Sequence, residues 1–141
     1  IMKIIIFKFT LIFFLLINLL HAKSDYFNEG INLYKKEKFE EAQFKFEQEI
    51  VFNPKSEQSY LYLSKIFNKL DKKDLEEQNL NTVILLNPKN EEAIYNLAKL
   101  KLESSDYKKS KELNNRLSSI CNKFCKKNSE LEIEIENLSK K

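Results

Sequence analysis

FNPKSEQSYLYLSK, Phe52 to Lys65, is written again in altered form as LNPKNEEAIYNLAK, Leu86 to Lys99. Six of the fourteen positions are identical and in the same order (Asn, Pro, Lys, Glu, Leu, Lys), at an offset of 34 residues. A helix pair with a break on either side fills such an interval, and self-similarity at it marks an array of helical hairpins. Each proline ends a helix, because the residue before it is pushed out of the α region. Ser56 and Asn90 then suit the N-cap of the next helix, and Glu57, Glu91 and Glu92 suit its positive end.

Working outward, apolar residues recur at intervals of three and four along the whole chain after Ser24. Tyr26, Phe27, Gly30, Ile31, Leu33 and Tyr34 make one helical stripe, and Phe39, Ala42, Phe46 and Ile50 a second. Tyr60, Leu63, Ile66, Phe67 and Leu70 follow, then Leu75, Leu80, Val83 and Ile84, then Ile94, Leu97, Ala98 and Leu102. The last stripe, Tyr107, Leu113, Leu117, Ile120 and Phe124, predicts a helix running on to Phe124. Short polar breaks separate the stripes, so the expected class is all-α, with six helices in three hairpins. In the tail, Leu131, Ile135 and Leu138 would line one face of a short capping helix over the last hairpin. The alternation LEIEIE also reads as a strand, but no partner run exists elsewhere, which favours the helix.

In the register Lys23–Ser56, Glu57–Asn90 and Glu91–Phe124, the chain resembles the tetratricopeptide repeat (TPR) family. The first repeat supplies Tyr26, Gly30, Phe39, Ala42, Phe46 and Pro54 at motif positions, and the second Tyr60, Leu63, Ser64, Phe67, Val83 and Pro88. The third supplies Ile94, Leu97, Ala98 and Tyr107. Small residues at the eighth position (Gly30, Ser64, Ala98) let the first helix of a hairpin approach its second closely. Departures are present: Glu29 stands where Leu is usual, Glu76 and Ser110 replace Ala, Glu49 replaces a small residue, and Asn114 an aromatic. The third repeat lacks its proline. The resemblance implies a right-handed α-solenoid of three helix-turn-helix hairpins plus a C-terminal capping helix. The domains would be 23–124 for the repeats (23–56, 57–90, 91–124) and 125–141 for the capping helix and charged tail.

Residues 1–22 stand apart. Lys3 and Lys8 precede an uncharged run, Phe9 to Leu20, which has the pattern of a secretory signal. The run falls short of the about 20 apolar residues a membrane-spanning helix needs, although Ile4 to Leu20 comes close if Lys8 snorkels. A removed signal and a retained N-terminal anchor are both open, and either exports the rest of the chain, to the periplasm or beyond. Without Lys3 and Lys8 the chain carries 22 basic and 21 acidic residues, interspersed along helices. Nucleic acid, which needs a basic patch, is not an expected partner. The single glycine, Gly30, excludes a glycine-rich phosphate cradle, and the single histidine, His21, lies in the N-terminal segment. Histidine acid–base chemistry, Ser-His triads and the usual zinc sites then have no imidazole. Neither enzyme activity, cofactor nor metal is expected.

In the family, the first helices of the hairpins line a concave groove. Carried over by repeat position, that groove would hold Phe27, Ile31 and Tyr34, then Leu61, Lys65 and Lys69, then Tyr95 and Lys99. It would be apolar at one end and positive along its length, a surface for an amphipathic helix or an extended peptide. Phe27 and Ile31 could instead pack under the N-terminal segment or make a homodimer contact. Members that grip a chaperone's C-terminal carboxylates use charged and amide residues where this chain has Phe27, Ile31, Tyr62, Glu92 and Asn96. The charged clamp is missing, so that function is not expected. Cys121 and Cys125 leave three readings: buried thiols, a disulfide that would distort a regular helix, or a redox or metal role. The expected function is a non-catalytic adaptor or assembly factor binding a protein or peptide outside the cytoplasmic membrane. The alternative is a self-associating homo-oligomer without a separate ligand. Membrane contact would come only through the N-terminal segment if it is uncleaved.

Overall fold

A computed structural model of the chain describes residues 25–140, so the expected signal or anchor, 1–22, lies outside the described residues. Seven helices and no strand occur among the described residues: α1 (Tyr26–Lys35), α2 (Phe39–Phe52), α3 (Glu57–Lys69), α4 (Lys73–Leu86), α5 (Glu91–Glu103), α6 (Tyr107–Ile120) and α7 (Cys125–Ser139). Shifting α3 and α4 by 34 residues lands on the bounds of α5 and α6, and shifting α2 lands on α4. Each helix packs on the next, in an all-α repeat stack with α7 against α6 and the edge of α5. None of the seven is long and apolar enough to cross a membrane.

The turns obey the repeat as closely as the helices do. Glu37, Asp71 and Ser105, again spaced by 34, all take left-handed backbone with φ of 58°, 53° and 61°. In each case the next residue's N–H reaches back to a carbonyl five residues earlier: Lys38 to Leu33, Lys72 to Phe67, Asp106 to Lys101. That is a Schellman closure without glycine. It reverses the chain within each hairpin. Between hairpins, Asn53 and Asn87 end their helices and the prolines prevent continuation. The Asn90 side chain caps α5 by accepting from the N–H of Ala93, whereas Ser56 turns its hydroxyl to Ser59 and caps nothing.

Close approach inside the hairpins has its cause in the small residues. A Cβ at Gly30 would stand 2.8 Å from Cε1 of Phe46, a fully buried ring on α2. In the third hairpin the Ser110 hydroxyl donates to the carbonyl of the small residue Ala98 at 2.8 Å. The core forms two linked clusters. One gathers Ala42 and Phe46 with Leu63, Ile66 and Phe67; the other runs from Leu61 through Leu97 and Leu113 to Leu131 and Ile135. Tyr60 touches both.

The expected capping face is present on α7: Leu131 and Ile135 are buried, Leu138 packs partly against the same cluster, and Ile133 points outward. Burying Leu131 and Ile135 contributes about 2 kcal/mol each. Asn114 and Asn128 complete the contact, each side-chain amide donating to the other's main-chain carbonyl, at 3.2 and 2.7 Å. A buried polar residue thus replaces the aromatic of the repeat pattern where the stack ends.

The stretch 121–124 departs from the sequence reading. α6 ends at Ile120, and Cys121 to Phe124 form a turn, not a final helical turn. One carboxylate oxygen of Glu91 accepts the backbone N–H groups of Asn122, Lys123 and Phe124, at 2.9, 2.9 and 2.8 Å. Glu57, one repeat earlier, holds the side chains of Asn87 and Asn90 in the same way. Where the third repeat has Asn122 in place of proline, the N–H thereby gained is one of the three Glu91 takes. Cys121 and Cys125 are joined by a disulfide across this turn, with Cα atoms 5.2 Å apart. It joins the end of α6 to the start of α7, so no regular helix has to distort around it.

Candidate functional site

The first helices of successive hairpins, α1, α3 and α5, lie side by side, and a cleft of about 330 Å³ opens between them over the second and third hairpins. Of the groove residues expected from the sequence, Tyr34, Lys65, Lys69, Tyr95 and Lys99 line it. Phe27 and Ile31 do not. They lie half-buried against the first hairpin's core, where Phe27 meets Phe46 and Tyr62 edge-on at 5.8 and 6.1 Å. Leu61 is only 3 % exposed and belongs to the second core cluster, so it offers no side chain to a ligand. The repeat register put it on the groove side of α3; the third hairpin then covers it.

The cleft is charged on both counts. Lys65 pairs with Glu92 at 2.8 Å, tying α3 to α5, and its ammonium lies 5.0 Å from the centre of the Tyr62 ring. Lys65 is therefore already committed within the fold. Among the described residues no carboxylate lies within ion-pair distance of Lys69 or Lys99. Tyr34 stands edge-on to Phe39 and Tyr62, and burial pushes its phenol up, with Lys65 pulling the other way.

Glu76 forms part of the floor, on α4, at a position where the repeat pattern asks for alanine. It is 5 % exposed. The amide of Asn68 donates to both its oxygens at 3.2 Å. Burial pushes its carboxyl above the usual range; the Asn68 bond opposes this, Glu103 adds to it and Lys73 opposes it. Glu103 lines the same cleft. The cleft thus sets two unpaired ammonium groups and two tyrosine rings beside a recessed carboxylate. The sequence had marked Glu76 only as a departure from alanine, and a charge at a small-residue position was the signal for it.

No cluster of three histidine, cysteine or acidic side chains that could hold a metal occurs among the described residues. The arrangement can hold a ligand through hydrogen bonds, ion pairs and aromatic contact.

No protein-family model and no curated protein matches the sequence. Solved structures do. The TPR2B domain of yeast Sti1 in its pHsp70 complex superposes with a TM-score of 0.74 at 15% identity, covering 81% of this chain and 95% of that one. The Yersinia enterocolitica type III secretion chaperone SycD, in complex with a peptide of the translocator YopD, gives 0.73 at 17% identity, over 82% and 92%. The Arabidopsis OM64 TPR domain gives 0.70 at 18%, over 78% and 90%. The fold is that of tetratricopeptide repeat domains.

Proposed function

We propose that this chain is a non-catalytic protein-binding module, an adaptor or assembly factor that holds a peptide or helix in the cleft between its second and third hairpins. The observation that carries the reading is the pair Lys69 and Lys99, exposed to the cleft beside Tyr34 and Tyr95 without carboxylate partners of their own. A ligand with acidic and aromatic or amide groups would satisfy them. A pre-formed surface of stacked helices keeps the ordering cost of binding low. Two of the similar folds, yeast Sti1 and SycD, are described as complexes with pHsp70 and with a translocator peptide, which supports a binding role for a cleft of this kind. The module would work outside the cytoplasmic membrane. The signal-like residues 1–22 and the Cys121–Cys125 bridge, which suits an oxidising compartment, both support that location.

The test is the double variant Lys69→Glu, Lys99→Glu in crosslinking pull-downs from intact cells. Both side chains reach solvent, so the helical circular-dichroism signal and melting temperature should stay close to wild type while partner capture is lost. Capture at wild-type yield would remove the cleft from the account.

A further inference from the structure

All turns between hairpins lie on one edge of the stack. α1 begins beside the end of α2, where Tyr26 stacks on Phe52 at 5.7 Å. α3 begins beside the end of α4 through Glu57, and α5 beside the end of α6 through Glu91. Side chains brace these turns: Tyr60 at the start of α3 donates to the carbonyl of Pro54 just before it at 3.3 Å, and Arg116 of α6 donates to the Pro88 carbonyl at 2.6 Å.

This edge carries three of the most exposed large apolar side chains of the described residues: Val51 at 75%, Phe52 at 74% and Leu85 at 80%. Val51 and Leu85 occupy the same position of consecutive repeats, so they form a row across adjacent hairpins. Each turn adds an exposed lysine, Lys55, Lys89 and Lys123. Among the described residues none of the three has a carboxylate within ion-pair distance. The acidic groups at the same edge are engaged by the chain itself: Asp25 by Asn28, Glu57 by Asn87 and Asn90, Glu91 by three backbone N–H groups. Apolar tips beside unpaired ammonium groups are the chemistry of an interfacial lipid contact.

The covalent chain points the same way. Leu20, the last residue of the uncharged run Phe9–Leu20, is five residues from Asp25. Five residues span at most roughly 18 Å. Asp25 caps α1 at this edge, so the chain leading from that run enters the fold here.

We propose that this edge rests on an anionic lipid bilayer, with Val51, Phe52 and Leu85 in the headgroup layer and Lys55, Lys89 and Lys123 against lipid phosphates. A second copy is the weaker occupant. The three side chains offer on the order of 400 Å² of apolar surface, about half of what each partner in a stable protein pair buries. Contact is independent of the cleft and its ligand.

The chain has no tryptophan, so a single one reports its own surroundings. The full chain carrying Leu85→Trp is incorporated into vesicles of equal parts phosphatidylcholine and phosphatidylglycerol, with Leu75→Trp, on α4 at the opposite edge, as control. The expected result is a blue-shifted emission for Leu85→Trp that acyl-brominated phosphatidylcholine quenches, and neither effect for Leu75→Trp. Adding Lys55→Gln, Lys89→Gln and Lys123→Gln should lower the equilibrium constant for docking about fivefold per lysine. A blue shift without bromine quenching means burial by protein and overturns the proposal. So does equal behaviour of the two reporters, quenched or not, since the N-terminal segment is common to both.

Discussion

At Gly30 a single methyl group decides whether α1 can lie against α2. The ring it would strike, Phe46, is fully buried and stacked on Tyr62 at 5.0 Å, so it has nowhere to go. Gly30→Ala gains about 1 kcal/mol of helix propensity but overpacks the site by about 1–3 kcal/mol. A net loss in urea unfolding is expected; a more stable variant would mean that the hairpin can open. Leu61→Ala, which a groove position would tolerate, should cost about 2–5 kcal/mol, because the residue lies in the core. Glu76 adds a pH dependence. Folding raises its carboxyl, so the folded chain binds that proton more tightly than the unfolded one. Its contribution is fully favourable below the ordinary carboxylate value and is lost as pH rises through the raised folded value. Glu76→Gln should remove that decline from the pH–stability profile. An identical decline in the variant would place its origin elsewhere.

At the scale of elements, most of the architecture could be read from the sequence because its causes are local. Pro54 and Pro88 end helices by their own geometry, and the apolar spacing identifies α1 to α5 without reference to the fold. The end of α6 has a distant cause. Phe124 continues the spacing of Leu117 and Ile120, yet the chain turns at Cys121 because Glu91, about 30 residues earlier, gathers the backbone N–H groups of Asn122 to Phe124. No local pattern records that contact. The cleft follows the same division. Lys65, Lys69, Lys99, Tyr34 and Tyr95 came from repeat position, whereas the burial of Leu61 and the packing of Phe27 depend on which hairpins cover them. Backbone donors hold the Glu91 carboxyl below its usual range, so its stabilising effect is present above the unfolded value and lost as pH falls through the folded one. Glu91→Gln should lower the melting temperature at neutral pH and lessen the further loss in acid. Reducing the Cys121–Cys125 bridge, which closes a very short loop, should cost about 2 kcal/mol in the same assay. Unchanged melting after both treatments would mean that the apolar face of α7 and the Asn114–Asn128 contact hold it without help from the turn.

The whole molecule is a stack in which each hairpin hides its apolar stripe only against a neighbour, and α7 closes the last exposed face. Stacking at a constant interval also brings α1, α3 and α5 side by side, so the cleft is a consequence of the repeat. The charge of the cleft comes in part from residues that break the pattern or project from it: Glu76, Lys69 and Lys99. The most direct measurement places a photo-crosslinking amino acid, one position at a time, at Asn96 inside the cleft and at Phe44, 58% exposed on α2 and outside it, and irradiates intact cells. A discrete adduct with another protein is expected from Asn96 and none from Phe44. Adducts from Phe44 with none from Asn96 would contradict it.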